Sequence, residues 1–313
     1  MASYLVTGGA GFIGSNIVSA LVKRGDSVRV LDNFSTGKRE NLAGDLDKIE
    51  LIEGDLRDLA TVRKAVQDVD YVLHQGALPS VPRSVADPLT THEVNATGTL
   101  NVLWAARDAN VRKVVYASSS SVYGNSPSLP KREDMSPDPL SPYSVAKLAG
   151  EGYCKAFYRV YGLDTVIFRY FNVFGPRQDP VSEYAAVIPK FTKAILRGES
   201  PTIYGDGTQS RDFTYVANVV AANLKAVAQP GLGGRLFNIA CSQAFTLLEL
   251  VDSLNQILGR DAKPIFREGH VGDVKHSLAS IASARDAFGY EPTISFSEGL
   301  GLTVACLEHT TAA

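Results

Sequence analysis

Short apolar runs alternate with stretches in which apolar residues recur every three to four positions, and these two rhythms follow each other from the start of the chain. Residues 3–7 read as a strand, a glycine loop follows at 8–11, and Ile13, Ile17 and Leu21 mark one face of a helix that ends by Gly25. A second strand is expected at 27–31. The alternation continues with strands at 49–53, 71–75 and 111–117 and helices at 59–66 and 92–109. Prolines between 127 and 142 enforce a loop, after which 143–160 reads as helix and 164–170 as strand. Strands separated by helices imply an α/β fold with a parallel, doubly wound sheet.

From about Phe171 the elements become shorter: a helix at 185–196, a strand at 201–204, a turn at 205–207, and helices near Ala217, Leu247 and Ser297. This change of rhythm predicts a smaller mixed α/β lobe over 172–313, after a first domain over 1–171 to which some later segments return. A chain of 313 residues, 45% hydrophobic and 20% charged, is long enough to bury one full core and a second, smaller one. The net charge of -2 and the dispersed basic residues offer no field for nucleic acid, so any anion must be bound locally. Cys154, Cys241 and Cys306 lie far apart, and neither they nor the five histidines have metal-ligand spacing. No apolar run reaches membrane length and no secretory pattern opens the chain, which points to a cytoplasmic protein.

The first loop reads Thr7-Gly8-Gly9-Ala10-Gly11-Phe12-Ile13-Gly14, between a strand and an amphipathic helix. Glycines there let the backbone approach a pyrophosphate, the helix start supplies unpaired N–H groups, and Gly14 permits close helix-sheet packing, a Rossmann-type arrangement. Asp32 ends the second strand, where a carboxylate accepts ribose hydroxyls and repels a 2′-phosphate, favouring NAD over NADP. Lys38 and Arg39 lie close enough to soften that repulsion. Asp55, after the third strand, suits an adenine amino group or, equally, a helix cap; Asn95 suits a ligand or neighbouring backbone.

Tyr143 is the only one of the 13 tyrosines with a lysine, Lys147, four positions on, a spacing that places both on one helix face. An ordinary surface pair has the same spacing. As a chemical pair, the ammonium and a cationic nicotinamide would favour the phenolate and make the tyrosine a base. The run Ser118-Ser119-Ser120-Ser121 leaves the carboxyl end of the fifth strand, where α/β sheets place ligands. Together these residues suit removal of a carbinol proton while hydride leaves the same carbon for NAD. Serine-hydrolase chemistry is disfavoured, because no GxSxG elbow occurs.

At this point the chain resembles the extended short-chain dehydrogenase/reductase superfamily, through TGGAGFIG, Asp32, SSSSVYG and YSVAK. Within it the nucleotide-sugar 4-epimerases are most similar, above all UDP-N-acetylglucosamine 4-epimerases, through His74-Gln75-Gly76-Ala77, Ser80-Val81-Pro82-Arg83-Ser84, Arg169-Tyr170-Phe171-Asn172-Val173-Phe174-Gly175 and Arg177-Gln178-Asp179-Pro180. The resemblance implies Tyr143 as acid/base at O4, Ser119 as its hydrogen-bonding partner, and Lys147 on the nicotinamide ribose, lowering the tyrosine pKa. It implies NAD contacts at Gly8, Gly11, Phe12, Ile13, Gly14, Asp32, Asn33, Ser35, Gly37, Asp55, Leu56, Gln75, Ala77, Ser118 and Tyr170. Dehydratases of the superfamily carry Asp-Glu where Ser120-Ser121 stand, and decarboxylases carry Glu at Ser121, so a C4 epimerisation with cofactor regenerated is the implied reaction.

For a UDP-sugar the resemblance implies Ser80, Ser119, Ser120, Ser121, Asn172, Ala186, Val187, Lys190, Tyr204, Gln209 and Arg211, with Arg211 forked on phosphate. His270 departs from the family's usual arginine, which leaves a weaker, pH-sensitive contact or a substitute in Arg267, while Asp273 suits the uridine ribose. Ser277 stands where epimerases restricted to plain hexoses carry tyrosine, so room exists for a 2-acetamido group, and plain UDP-hexoses remain open. The alternatives are another NAD-dependent nucleotide-sugar enzyme (4,6-dehydratase, decarboxylase or UDP-glucuronate 4-epimerase) or a non-catalytic NAD-binding protein. The family also implies a homodimer through the helices near 92–109 and 143–160.

Overall fold

The computed structural model describes residues 1–179, 186–268 and 275–312. Its first half runs β1 (Ser3–Thr7), α1 (Phe12–Lys23), β2 (Ser27–Asp32), β3 (Ile49–Glu53), α2 (Leu59–Ala65), β4 (Tyr71–His74), α3 (Val81–Ala86), α4 (Pro88–His92), α5 (Gly98–Asp108), β5 (Lys113–Ser119), α6 (Pro142–Tyr161) and β6 (Thr165–Tyr170). There follow β7 (Val173–Phe174), α7 (Val187–Leu196), β8 (Thr202–Tyr204), β9 (Ser210–Arg211), β10 (Thr214–Tyr215), α8 (Val216–Ala228) and β11 (Arg235–Ile239). The chain ends with β12 (Phe245–Thr246), α9 (Leu247–Leu258), β13 (Ile265–Arg267), α10 (Ala282–Phe288) and α11 (Phe296–Ala312). Among the described residues no helix is long and apolar enough to cross a membrane.

Seven strands form one sheet in the order β11-β6-β5-β4-β1-β2-β3, each pair parallel. The strand order reverses between β1 and β4, and α/β sheets open a crevice at such a switch point, outside the carboxyl ends of their strands. Both faces are covered. One side packs Ile17 and Val18 of α1 with Val219 of α8 and Phe288 of α10, and the other packs Val62 of α2, Val102 of α5 and Phe157 of α6. A third cluster, Phe174, Phe213, Leu250, Phe296 and Leu300, joins the small β7-β10 pair to α9 and α11.

The sequence reading lacks the seventh strand β11, the short helices α3, α4 and α10, and the two- and three-residue strands β7, β9, β10, β12 and β13. β11 begins on a charged residue right after Gly233-Gly234, which hides its apolar centre, Phe237 and Ile239. The long helix expected at 92–109 is also corrected. A π-helical turn at Glu93–Thr97 interrupts it, and such widened turns move side chains off the regular helical spacing. Asn95 uses that freedom to clamp the loop after β4: its carbonyl oxygen accepts from the Leu78 N–H at 2.7 Å and its amide donates to the Leu78 carbonyl at 3.0 Å. Of the two readings of Asn95, backbone support is the one the structure realises.

Helix α6 begins one residue earlier than the pattern indicates, because Pro142 fits the first helical position. Ser141 and Ser144 close a reciprocal capping box there, and Gly162 ends the helix in the left-handed conformation. This fixes where Tyr143 leaves the first turn.

Candidate active site

A cavity of about 430 Å3 opens along the carboxyl ends of β1 to β6. Gly8, Gly11, Phe12, Ile13, Gly14, Asp32, Asn33, Ser35, Asp55, Leu56, Gln75, Ala77, Ser118, Tyr143, Lys147 and Tyr170 all line it. Gly37 does not; it packs under the loop, where a Cβ would meet Ala10 and the Asp32 carboxylate at 2.9 Å. At Gly8 φ is +65° and a Cβ would lie 2.6 Å from the Gly76 Cα, while at Gly14 it would lie 2.1 Å from the Gly8 carbonyl oxygen. Only glycine lets these three backbone segments close into a cradle.

Asp32 is buried and accepts from the Ala10 N–H at 2.9 Å and the Phe34 N–H at 2.8 Å. Burial pushes its carboxyl upward, and those two N–H groups oppose the shift. Asp55 is held down to about 2, chiefly by Arg57, and also accepts from the Asn33 amide at 2.8 Å; the cap of α2 is Asp58 instead. Gln75 donates to the Tyr170 hydroxyl at 3.2 Å, and its Oε1 is buried with no partner among the described residues. A glycine cradle, a carboxylate at the end of β2 and an acceptor lacking a donor fit the NAD that the resemblance implies.

Behind the cradle, His74 forms a chain that settles its tautomer. Thr99 donates to the Asn95 carbonyl at 2.7 Å, so its oxygen accepts from His74 Nε2–H at 3.0 Å. Nδ1 is then an acceptor, and the Thr7 hydroxyl donates to it at 2.7 Å while accepting from the Gly76 N–H at 3.1 Å. Burial, helped by Lys147, lowers His74 to about 3.

Lys147 donates from its buried ammonium to the Ala117 carbonyl at 2.8 Å. Burial lowers it to about 8. Tyr143 is shifted upward by burial, with a hydrogen bond from Ser119 pulling the other way. The downward shift expected from Lys147 is therefore not a property of these side chains alone: the ammonium lies 5.9 Å from the Tyr143 ring centre and is directed at Ala117.

One turn beyond Lys147, Glu151 forms a fully buried forked pair with Arg169 at 2.8 and 2.7 Å. Its Oε1 also accepts from the Ser118 hydroxyl at 2.6 Å. The pair thus joins α6 to the ends of β5 and β6. Sequence spacing contains the signal, since Tyr143, Lys147 and Glu151 recur at four-residue intervals, but the partner on β6 becomes visible only in the fold.

A second cavity, about 600 Å3, adjoins the first. Ser80, Ser119, Ser120, Ser121, Tyr143, Asn172, Ala186, Arg211 and Ser277 line it. Val187, Lys190, Tyr204 and Gln209 stand outside its lining, as does Arg267, paired with Tyr204 across β13 and β8. His270 and Asp273 lie outside the described residues. The wall also contains Lys131, Tyr123 and His276, which sequence reasoning did not single out for the site.

Tyr143, Ser118 and Tyr170 belong to both cavities, which places the tyrosine at their junction. The segment carrying His276 and Ser277 is zipped to β9: Ser210 donates from its N–H to the Lys275 carbonyl, and Ser277 donates to the Ser210 carbonyl, each at 3.0 Å. Next to it, buried Asp212 accepts from the N–H groups of Cys241 and Ala279 at 2.9 and 3.1 Å. Burial raises Asp212 to about 7, against those backbone donors.

Comparison with known proteins agrees with this architecture. The chain is 40% identical over 304 residues to the UDP-glucose 4-epimerase of Mycolicibacterium smegmatis, covering 96% of each protein. It superposes with a TM-score of 0.94 and 43% identity on a UDP-N-acetylglucosamine 4-epimerase from Methanobrevibacter ruminantium in complex with UDP-N-acetylmuramic acid, covering 99% of each chain. A UDP-glucuronic acid 4-epimerase from Bacillus cereus, in complex with UDP-glucuronic acid and NAD, is similar at a TM-score of 0.91 and 33% identity, over 98% of this chain and 99% of that one. Matched by the family's sequence profile over residues 4–240 and similar to these proteins along nearly its whole length, the chain belongs to the NAD dependent epimerase/dehydratase family and is an enzyme that uses NAD.

Proposed function

We propose that this enzyme interconverts UDP-hexoses epimeric at C4, with UDP-N-acetylglucosamine and UDP-N-acetylgalactosamine as its principal pair and UDP-glucose and UDP-galactose as a secondary one. The observation that carries this reading is the position of Tyr143 at the junction of the two cavities, backed by Ser119 and Lys147. NAD, when bound, supplies the acceptor and donor of hydride at the sugar's C4. Tyr143 takes the proton from O4 and later returns it, Ser119 holds the hydroxyl in register, and Lys147 orients the ribose and contributes charge. With Ser120 and Ser121 in place of carboxylates, the acid and base that eliminate water in dehydratases are missing from these two positions, and the 4-keto sugar turns over and is reduced on its other face.

The UDP group is assigned to the second cavity and its surroundings. Arg211 addresses phosphate, Ala186 sits at the start of α7, and Asn172 hydrogen-bonds toward Ser277 at 3.3 Å. Val187, Lys190, Tyr204, Gln209, His270 and Asp273 remain assigned to the same group, on the resemblance alone. Ser277 is small and leaves space beside C2 for an acetamido group.

A homodimer is part of this reading. Val145, Tyr153 and Val160 recur along one exposed side of α6, at 51%, 37% and 69% exposure, and an apolar helix face of this kind fits a second copy of the same helix. A cytoplasmic location fits the three free cysteines.

The product assay is direct. Purified enzyme, with no added cofactor, is expected to bring UDP-N-acetylglucosamine and UDP-N-acetylgalactosamine to one equilibrium mixture from either side. Cofactor-loaded enzyme that leaves both unchanged would refute the assignment.

A further inference from the structure

Lys131 is a buried cation on the wall of the second cavity, 3% exposed, that the reaction as described does not use. Its ammonium donates to the Ser126 carbonyl, and among the described residues no carboxylate pairs with it. An ammonium carries three donors, so two remain beyond the Ser126 bond, on a residue that lines the cavity. Holding such a charge away from water with one carbonyl acceptor and no carboxylate is costly, and burial accordingly lowers the pKa of Lys131. The Ser121 hydroxyl oxygen on the same wall is also buried without a partner among the described residues, so this part of the cavity has polar capacity to offer a ligand.

The backbone places Lys131 beside the segment that carries Ser277. Lys131 donates its N–H to the Leu278 carbonyl at 2.7 Å and accepts from the Ser280 N–H at 2.9 Å, pairing in parallel with Ala279. Ser277 lies two residues before Ala279, and residues two apart on an extended chain share a face. The Lys131 and Ser277 side chains therefore leave the same face of this pairing, and both residues line the cavity.

We propose that Lys131 is a specificity residue that donates a hydrogen bond to the carbonyl oxygen of the sugar's 2-acetamido group. This rests on the reading that Ser277 faces C2. A small residue at 277 only makes space, and space admits acetylated and plain hexoses alike. A fixed donor at its edge distinguishes them, because a C2 hydroxyl is shorter by the acyl group and presents no carbonyl. The same charge repels a 2-amino sugar.

The test measures binding of UDP-N-acetylglucosamine, UDP-glucose and UDP-glucosamine to NAD-loaded protein by calorimetry, in a Tyr143→Phe background that stops turnover. Lys131→Met is expected to weaken UDP-N-acetylglucosamine by about tenfold or more relative to UDP-glucose, the scale of one charged hydrogen bond. It should tighten UDP-glucosamine at a pH that keeps its amine protonated, and Lys131→Arg should preserve the wild-type ranking. An unchanged ratio of UDP-N-acetylglucosamine to UDP-glucose affinity, whether from equal losses or from none, overturns the proposal. Failure of wild-type enzyme to epimerise UDP-N-acetylglucosamine would instead count against the proposed function, and the binding ratio would still decide the role of Lys131.

Discussion

Tyr143 has no strong base at its side in the protein alone, and its environment explains how it is restrained. Burial favours the neutral phenol, the Ser119 hydroxyl stabilises the charged form, and Lys147 is tied to Ala117. A neutral tyrosine is the resting state that follows, with its proton lost only when positive charge is added beside it. Tyr143→Phe keeps the ring and its packing but removes the only group proposed to carry the O4 proton. The account expects turnover to fall by roughly 100- to 10,000-fold, the scale of general acid–base catalysis, while the protein still purifies with NAD. Parallel assays of product formation and bound nucleotide check both halves of that expectation.

At the scale of elements, the end of β4 is the hidden support of the nucleotide cradle. His74 joins β1 through Thr7 and α5 through Thr99, and both ring nitrogens are satisfied in the neutral imidazole, which burial favours. Its folded pKa of about 3 lies below the 6.5 of a free imidazole, so the stability it contributes is complete above about 6.5 and is lost as the pH falls toward 3. Between pH 7 and pH 4.5 that loss is about 3 kcal/mol. Denaturant unfolding at the two pH values should show a flatter dependence for His74→Val than for wild type, by that amount; equal slopes would refute the assignment. The glycine loop, Asp32 and the α6 pair were legible in the sequence because their chemistry sits within single short segments. β11, the π-helical turn and the Glu151–Arg169 pair were not, since each depends on a partner distant in the chain: β6 for the strand, Leu78 for Asn95, and Arg169 for Glu151. For the second cavity, sequence supplied Ser119, Asn172, Arg211 and Ser277 but not Lys131, whose place follows from its pairing with Ala279.

Across the whole molecule, the seven-stranded sheet presents one cavity from its carboxyl edge, and segments from before and after β6 together wall the second beside it. Tyr143 reaches both because α6 starts at that edge, and the far side of the same helix is the proposed dimer face. Sedimentation should therefore give twice the 33.6 kDa chain mass, and Val145→Glu with Val160→Glu should return it to one chain. A wild-type monomer at all accessible concentrations would remove the dimer from the account. The central claim is that hydride leaves C4 and comes back to C4 inside a closed site. UDP-N-acetylglucosamine carrying deuterium at C4, given to the enzyme in ordinary water without added cofactor, tests it most directly. The account predicts UDP-N-acetylgalactosamine of unchanged mass with the deuterium still on C4; a product that has lost the label to solvent, or one lighter by the mass of water, would contradict it.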